Sequence, residues 1–325
     1  VRANLRYHLG YIGFLAHHRR WLAGDELSFA DLAAAAHLSA IDYLGESVIA
    51  VRGVGYAPNS SAPPAVDVYL NELPINSVYA FTSIYDIQQM ELLRGPQGTL
   101  RGRPSPAGAV IMTTRRPDLD EMGGSVSGSF SDADAQNYQG ALNVPIVKDT
   151  LALRVAGVKN TNEGPGGELL DGDEPEVDDE GLRATVLFQP TDELGFLLTH
   201  HYMDRAIDQF TFVEGAGAGY NGPADEIGRQ DQKIEITSLQ ANWDIGEHQL
   251  VYIGGYQDVT NEFTQDLDGA NAVADYASLQ NTATDFEVTT HELRFESTGD
   301  GRVDYSAGLW YSDTETSTNV HQASE

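Results

Sequence analysis

The sequence predicts a mainly β protein in which an antiparallel meander of strands follows a short α/β segment and a shorter helical one. Nine segments of strand length succeed one another after residue 120, and their connections alternate between short and long. No apolar run approaches the roughly 18 residues that a membrane helix needs. These observations suit an incomplete transmembrane β-barrel, whose alternating strands never give a continuous apolar signal.

The charge and the composition divide the chain into residues 1–46, 47–119 and 120–325. The 325 residues include 19 basic and 49 acidic side chains, a net charge of −30. Nine of the basic and 39 of the acidic residues lie in 120–325, so this segment carries all of the net charge. Such a balance argues against nucleic-acid binding, which needs clustered Lys and Arg. The absence of cysteine excludes disulfides, thiol catalysis and Cys-ligated zinc.

Residues 1–46 have the pattern of helices. Ser28 and Asp31 have the spacing of a capping box, and Gly45 ends the periodic stretch. The run WLAGDELSFADLAAAAHLSAIDYLGE resembles the C-terminal helical domain of bacterial glutathione S-transferases. The glutathione-binding half of that family has no counterpart here, so no binding residue is carried over. The opening residues also lack the pattern of a secretory signal.

Residues 47–119 combine short strands with glycine-rich turns. The predicted strands are 47–51, 65–70, 90–93 and 109–114. The glycines between the last two suit tight turns or a close backbone approach. A phosphate-binding loop is excluded, because no Lys occurs before residue 148.

The order of short motifs in this segment is similar to the plug domain of TonB-dependent outer-membrane receptors. The matching runs are RGVG from Arg52, VYL from Val68, ELLRGPQGTL from Glu91, and GAV from Gly108 followed by TRRP from Thr114. Two departures are visible: Arg101 replaces a usual aromatic residue, and Asn71-Glu72 replaces a frequent Asp-Gly. The resemblance implies that residues 47–119 are a partial α/β plug. It assigns structural or gating roles to Arg52, Gly53, Arg94, Gly95, Pro96, Gly98, Gly102, Gly108 and Arg115.

Residues 120–325 read as the first nine or so strands of a barrel. The predicted strands are 123–130, 137–146, 150–160, 181–189, 194–204, 233–244, 248–259, 285–297 and 302–314. Three long connections, at 161–180, 205–232 and 260–284, alternate with turns of three or four residues. In the seventh strand, Leu250, Tyr252 and Tyr256 fall on one face and Val251 and Ile253 on the other. Short turns on one side and long loops on the other are typical of outer-membrane barrels.

The sequence predicts no catalytic residue, no metal site and no cofactor. The acidic run at 162–180 lacks the spacing of an EF-hand loop, which favours a solvated loop over a calcium site. His291-Glu292 resembles the start of a zinc-protease helix, but it lies in a strand pattern and residue 295 is Phe.

The resemblance implies an outer-membrane receptor that takes up a scarce substrate, such as an iron–siderophore complex. Its implied partners are outer-membrane lipid, a TonB-type energy-coupling protein and a small-molecule or metal-chelate substrate, with no nucleic acid. The sequence given contains no coupling box, and nine strands cannot close the expected barrel without leaving edges unpaired in lipid. We therefore expect the sequence to be a fragment.

The plug arginines lead to a hypothesis about how plug and barrel are held together. Arg94 or Arg115 is predicted to pair with a lumen-facing glutamate, either Glu292 or Glu235, because an uncompensated buried guanidinium is costly. The alternative is that these arginines only hydrogen-bond loops of the plug.

Two other functions remain open at the level of sequence. The chain could be a cytoplasmic fusion whose helical part binds a small molecule or partner. It could also be a soluble β-rich binding protein, in which case two sheets should pack around an apolar core.

Overall fold

The computed structural model describes residues 50–51, 54–55, 66–76, 80, 84–97, 105–131, 135–163, 176–209, 228–266, 278–299 and 303–324. These residues form fifteen β-strands and contain no α-helix. The mainly β class is therefore confirmed, but the described part of 47–119 consists of strands and turns, not of α/β structure. The helical segment expected for 1–46 lies outside the described residues.

No helix among the described residues is long and apolar enough to cross a membrane.

The chain divides into two compact units. The first contains Val1–Asp67, Leu93–Gly98 and Arg103–Ala109. In it, β1 (Ala50–Val51) pairs antiparallel with β2 (Val54–Gly55). Backbone hydrogen bonds from Gly95 N to Ala107 O (3.0 Å) and from Gln97 N to Ser105 O (3.1 Å) join the two later stretches. The second unit contains the rest of the chain.

A small sheet is formed by four strands in the order β4-β3-β6-β5. The strands are β3 (Val66–Leu70), β4 (Leu73–Ile75), β5 (Ile87–Arg94) and β6 (Gly108–Thr114). The β3–β4 turn places Asn71 at φ 49° and Glu72 at φ 67°, which matches the two left-handed positions of a type I′ hairpin turn. The Asn71 side chain anchors the turn: its Nδ2 donates to Thr114 Oγ1 (2.9 Å) and its Oδ1 accepts from Thr114 N (2.9 Å).

Nine further strands form one large sheet, in which each strand pairs antiparallel with the next one along the chain. They are β7 (Gly123–Phe130), β8 (Gln136–Val147), β9 (Leu151–Glu163), β10 (Glu176–Thr191), β11 (Leu194–Gln209), β12 (Gly228–Ile245), β13 (His248–Asp266), β14 (Ser278–Ser297) and β15 (Ser306–Ser324). The predicted number and order of strands are thus confirmed.

Most of these strands are longer than the sequence predicts. β12 begins at Gly228 and not at 233, and β15 continues to Ser324 and not to 314. The added residues are mostly polar, so apolar alternation does not reveal them. They belong to the strands because backbone hydrogen bonding continues regardless of side-chain polarity.

The two faces of the large sheet differ in polarity. We call the face that carries Arg154, Arg183, His201, Gln257 and Arg294 the inner face, because these side chains contact the small sheet or the segment before β5. Many buried side chains of this face are polar. They include Asn143, Arg183, Thr185, Thr199, His201, Gln232, Gln240, Gln257 and Thr290.

The opposite or outer face exposes large apolar side chains on several strands. Leu182, Leu198 and Leu293 are 53%, 45% and 42% exposed. The predicted alternation of β13 is confirmed, since Val251 and Ile253 are buried on the inner face while Tyr256 is exposed on the outer face. The inner face also buries apolar side chains, among them Met203, Ile234 and Ile253, so the feature that distinguishes this sheet from a water-soluble one is its open apolar outer face.

Asn143 of β8 fixes the segment that leads into the large sheet. Its Oδ1 accepts from Asp118 N (2.8 Å), while its Nδ2 donates to Asp118 O (3.0 Å) and Glu121 O (2.7 Å). The side chain is buried, so it replaces water for three backbone groups.

Asn143→Leu is expected to lower the free energy of unfolding by about 1–3 kcal/mol, because it removes three hydrogen bonds that a buried amide makes to the backbone of Asp118 and Glu121. Denaturant titration of the refolded protein, followed by tryptophan fluorescence, measures this. Asn242→Leu is the control, since Asn242 is half-buried on the same face and has no side-chain hydrogen bond among the described residues. An equal loss in both variants would contradict the assigned role.

Candidate functional site

The inner face of the large sheet contacts residues 72–74 and residues 85–86 at two separate places. Both involve the second unit alone. We call the large sheet the wall. Each contact combines a charged pair with a glycine on a wall strand, and a larger side chain packs against that glycine.

The first contact is centred on Asp86. Arg154 of β9 binds its carboxylate in a bidentate manner, through Nε (2.7 Å to Oδ2) and Nη2 (2.5 Å to Oδ1). Arg115 lies 3.8 Å from the same carboxylate but is largely exposed. The side chains of Asp86 and Arg154 are only 9% and 13% exposed. Two parallel charge-assisted hydrogen bonds with little access to water form a strong and directional link.

Tyr85 extends the first contact onto β10 and β11. Arg183 Nη1 donates to the backbone carbonyl of Tyr85 (2.9 Å), and its guanidinium lies 4.4 Å from the centre of the Tyr85 ring. The Tyr85 hydroxyl is 3.1 Å from His201 Nδ1. Burial raises the pKa of the Tyr85 phenol to about 12, against the lowering effect of Arg183, so the hydroxyl remains protonated at neutral pH. Gly181 makes room for this ring, since a Cβ there would lie 3.1 Å from Tyr85 Cε1.

The second contact lies at the β3–β4 turn. Leu73 is fully buried and is seated over Gly255 of β13, where an added Cβ would overlap its side chain. Gln257, two residues further along β13, donates from Nε2 to the carbonyl of Pro74 (2.9 Å). A glycine inside a strand often marks such a close approach.

Glu72 adds an ion pair to the second contact. Its Oε2 lies 2.7 Å from Arg294 Nη2 on β14. Arg294 also lies close to Glu296 (2.7 Å) and Glu292 (3.3 Å) of its own strand. One guanidinium thus faces three carboxylates, of which only Glu72 comes from outside the large sheet.

These contacts hold two elements together without covalent chemistry. They consist of ion pairs, amide and hydroxyl hydrogen bonds, and apolar side chains fitted over glycines. Among the described residues, no three His, Cys, Asp or Glu side chains are grouped so that they could hold a metal ion. The arrangement can hold residues 72–74 and 85–86 against the large sheet.

The residues predicted as plug motif fall in different parts of the structure. Arg52, Gly53, Gly98 and Gly102 lie outside the described residues. Arg94 is exposed at the end of β5, Gly95 follows it at φ 94° with Pro96 next, and Gly108 begins β6. Their structural or gating roles remain predictions.

The predicted ion pairs require correction. Glu235 lies on the outer face of β12, because its register partner Tyr202 is at an outer position of β11, so Glu235 cannot face a plug arginine. Glu292 is on the inner face but lies beside Arg294, while Arg115 lies beside Asp86. The acidic partners Asp86 and Glu72 belong to the small sheet and the segment before β5, which we call the smaller element. Their partners Arg154 and Arg294 belong to the large sheet. This placement is the reverse of the predicted one.

Sequence reasoning missed Asp86, Glu72, Arg154 and Arg294. The strand glycines carried a usable signal, because Gly181 and Gly255 interrupt strands where close approach is the usual reason. The pairing of distant charges had no signal in the sequence, since the partners are separated by 68 and 222 positions.

Asp86→Asn is expected to lower the free energy of unfolding by about 3–5 kcal/mol, because it leaves the nearly buried Arg154 guanidinium without its counter-charge. Asp178→Asn is the matched control. Asp178 pairs with Lys159 on the outer face, where both side chains are more than a third exposed, so the loss should stay below about 1 kcal/mol. Denaturant titration compares the two, and equal losses would rule out a special role for Asp86.

Gly255→Val is expected to displace Leu73 and to cost about 1–3 kcal/mol by overpacking. Hydrogen exchange at residues 71–74 should accelerate, and adding Leu73→Ala should restore protection. Gly195→Val on β11 is the control, because a Cβ there meets no heavy atom within 4 Å. Unchanged hydrogen exchange at residues 71–74 in the Gly255 variant would contradict the packing of Leu73 against Gly255.

Comparison with known proteins gives relatives for parts of the chain. No family model matches. The pesticin receptor of Yersinia pestis is 31% identical over 156 residues, which cover 46% of this chain and 23% of that receptor. A match of 45 residues at 62% identity is to FtsZ-localized protein A of Caulobacter vibrioides, covering 14% of this chain and 20% of that protein. That name does not support the predicted transferase resemblance of residues 1–46.

Solved structures share the fold over most of the chain. The ferric yersiniabactin uptake receptor FyuA from Yersinia pestis has a TM-score of 0.72 at 20% identity, covering 85% of this chain and 43% of that one. The ferric preacinetobactin receptor BauA from Acinetobacter baumannii has a TM-score of 0.64 at 13% identity, covering 83% and 41%. The chain thus spans less than half of these receptors, and over that part its fold is similar to theirs.

Proposed function

We propose that this chain is part of a TonB-dependent outer-membrane receptor for a ferric siderophore. Residues 120–325 supply wall strands of the barrel, and residues 47–119 supply part of the plug. The proposal is one of transport and not of enzymatic catalysis. Its expected partners are outer-membrane lipid, an energy-coupling protein and an iron chelate.

The open apolar face of the large sheet carries the proposal. Its outer face exposes leucines, aromatic rings and valines, while its inner face buries amides, hydroxyls and arginines together with apolar side chains. In water such a face would cost about 25 cal/mol for each Å² of apolar surface left exposed. Against hydrocarbon the same face is stable, and the antiparallel pairing leaves each interior strand fully hydrogen-bonded.

The composition of the outer face changes along the strands. Leu198, Leu239 and Leu293 lie towards the ends that are joined by short turns. Glu235, Asp258 and Glu287 lie further towards the other ends, directly opposite one another in register. An apolar band bordered by a charged one is what a strand crossing from lipid into water should show.

The contacts at Asp86 and Glu72 support the assignment of a plug. A plug must be fixed while the receptor is empty and must be able to move when substrate and coupling protein act on it. Ion pairs and single hydrogen bonds to the wall meet both needs, because water can replace them. A continuous apolar core between the two elements would oppose that movement.

The soluble β-rich alternative is disfavoured by the same outer face. A soluble sandwich would cover that apolar face with a second sheet. Within the described residues, the small sheet contacts the polar inner face, and Leu182 and Leu198 remain open.

The proposal predicts an alternation of lipid contact between adjacent residues of β12. The chain has no cysteine, so a spin label can be placed at Leu239→Cys on the outer face or at Ser238→Cys on the inner face without further changes. In liposomes, the label at 239 should collide more with oxygen, which concentrates in lipid, and less with a water-soluble nickel chelate. The label at 238 should show the lower oxygen accessibility.

Extending the labels through residues 237–241 gives the internal control, because accessibility should alternate with a period of two. The membrane assignment would be contradicted if the label at 239 were accessible to the nickel chelate and collided with oxygen no more often than the label at 238.

A further inference from the structure

A row of polar side chains crosses the inner face of the large sheet. Six directly paired positions form its centre, one from each of β9 to β14: Asn160, Asp179, Arg205, Gln232, Asn261 and Thr284. Neutral polar residues continue the row onto β8 and β15. The row lies four residues beyond Arg183, His201 and Gln257, on the side away from the short turns. It therefore lies beyond the positions that hold residues 74 and 85.

The charges within the row cancel. Arg205 Nε lies 2.9 Å from Asp179 Oδ1, and Asn160 Nδ2 donates to the other carboxylate oxygen (3.1 Å). The remaining members are amides and hydroxyls, which both donate and accept hydrogen bonds. The row offers many hydrogen-bonding groups and no spare positive charge.

Asp179 Oδ1 and Arg205 Nε lie 2.9 Å apart as an ion pair without the geometry of a hydrogen bond, and Gln232 is a further member whose bonding is incomplete. Its Nε2 donates to Asn261 Oδ1 (3.0 Å), and the side chain is only 5% exposed. Its Oε1 is buried and has no hydrogen-bond partner among the described residues. A buried amide oxygen left without a partner is costly, so a donor from a bound molecule would be favoured there.

The surroundings of the row disfavour anions. Residues 120–325 carry 39 acidic and nine basic side chains. The three segments that join the nearby strand ends, 164–175, 210–227 and 267–277, contain nine acidic residues and no basic one. A negatively charged ligand would be repelled on approach and would find Arg205 already neutralised.

We propose that this row binds a ligand of zero net charge that is rich in hydroxyl and carbonyl oxygens. Because the inference rests on the proposed receptor function, the ligand is a neutral ferric chelate of the tris-hydroxamate type. The trianionic tris-catecholate type fits the row poorly, since recognition of several negative charges needs Arg or Lys without a counter-charge, and the one Arg of the row pairs with Asp179.

Calorimetry on the full chain in detergent micelles tests this with ferrichrome, a neutral tris-hydroxamate, and ferric enterobactin, a trianionic tris-catecholate. Ferrichrome should bind at least about tenfold more tightly. Raising the salt concentration should narrow the difference by screening the repulsion of the catecholate.

Gln232→Leu should weaken ferrichrome binding about tenfold, the effect of losing one buried hydrogen bond. Gln240→Leu is the matched control: the same residue type, strand and face, about 27 Å further along the strand. It should leave the affinity unchanged, and both variants must keep the strand signal of the parent in circular dichroism.

The outcomes separate this inference from the receptor function. Equal or tighter binding of ferric enterobactin would overturn the inference while leaving an iron-chelate receptor in place. If Gln240→Leu weakened ferrichrome binding as much as Gln232→Leu does, the row would not be the binding site. Failure of both chelates to bind protein that passes the spin-label test would overturn the proposed substrate and the inference together.

Discussion

Unbroken antiparallel pairing from β7 to β15 is the constraint on which the rest of the structure depends. Successive side chains of a strand point to opposite faces, and pairing without a crossover carries this alternation from each strand to the next. A shift of one residue in a single register would exchange the faces of every later strand. The polar inner face, the apolar outer face and the polar row therefore follow from one set of registers.

The polar inner face in turn needs partners for its charges. Arg154, Arg183 and Arg294 are largely buried there, and an uncompensated guanidinium in such a place is costly. Asp86, the carbonyl of Tyr85 and Glu72 supply the compensation. The smaller element therefore does more than fill space: it provides the negative groups that let the wall keep its arginines away from water. The division is not complete, since Glu292 and Glu296 of the large sheet also lie beside Arg294.

The sequence predicted the number, order and alternation of the wall strands, because these leave a local pattern every second residue. It underestimated strand length at Gly228 and Ser324, since hydrogen-bonded backbone with polar side chains looks like a loop in a sequence. It identified Arg115 as a motif residue but gave it the wrong partner. The partners of Arg154 and Arg294 are brought close only when segments far apart in the sequence pack together, and such packing leaves no local sequence pattern. Gly181 and Gly255 were the sequence's only hint of the two contacts.

The turn at Asn71-Glu72 shows how a local penalty is balanced by a distant contact. Glu72 has φ 67°, a conformation that costs a non-glycine residue roughly 1–2 kcal/mol. Glycine, frequent at this place in the plug domains that the segment resembles, would avoid this cost. Only a longer side chain can reach Arg294, and the pair formed is less than half exposed on both sides. Arg294 would otherwise face only the glutamates of its own strand. The ion pair between Glu72 and Arg294 thus offsets the conformational cost at Glu72. If that ion pair were broken, the uncompensated cost would favour a different conformation of the turn.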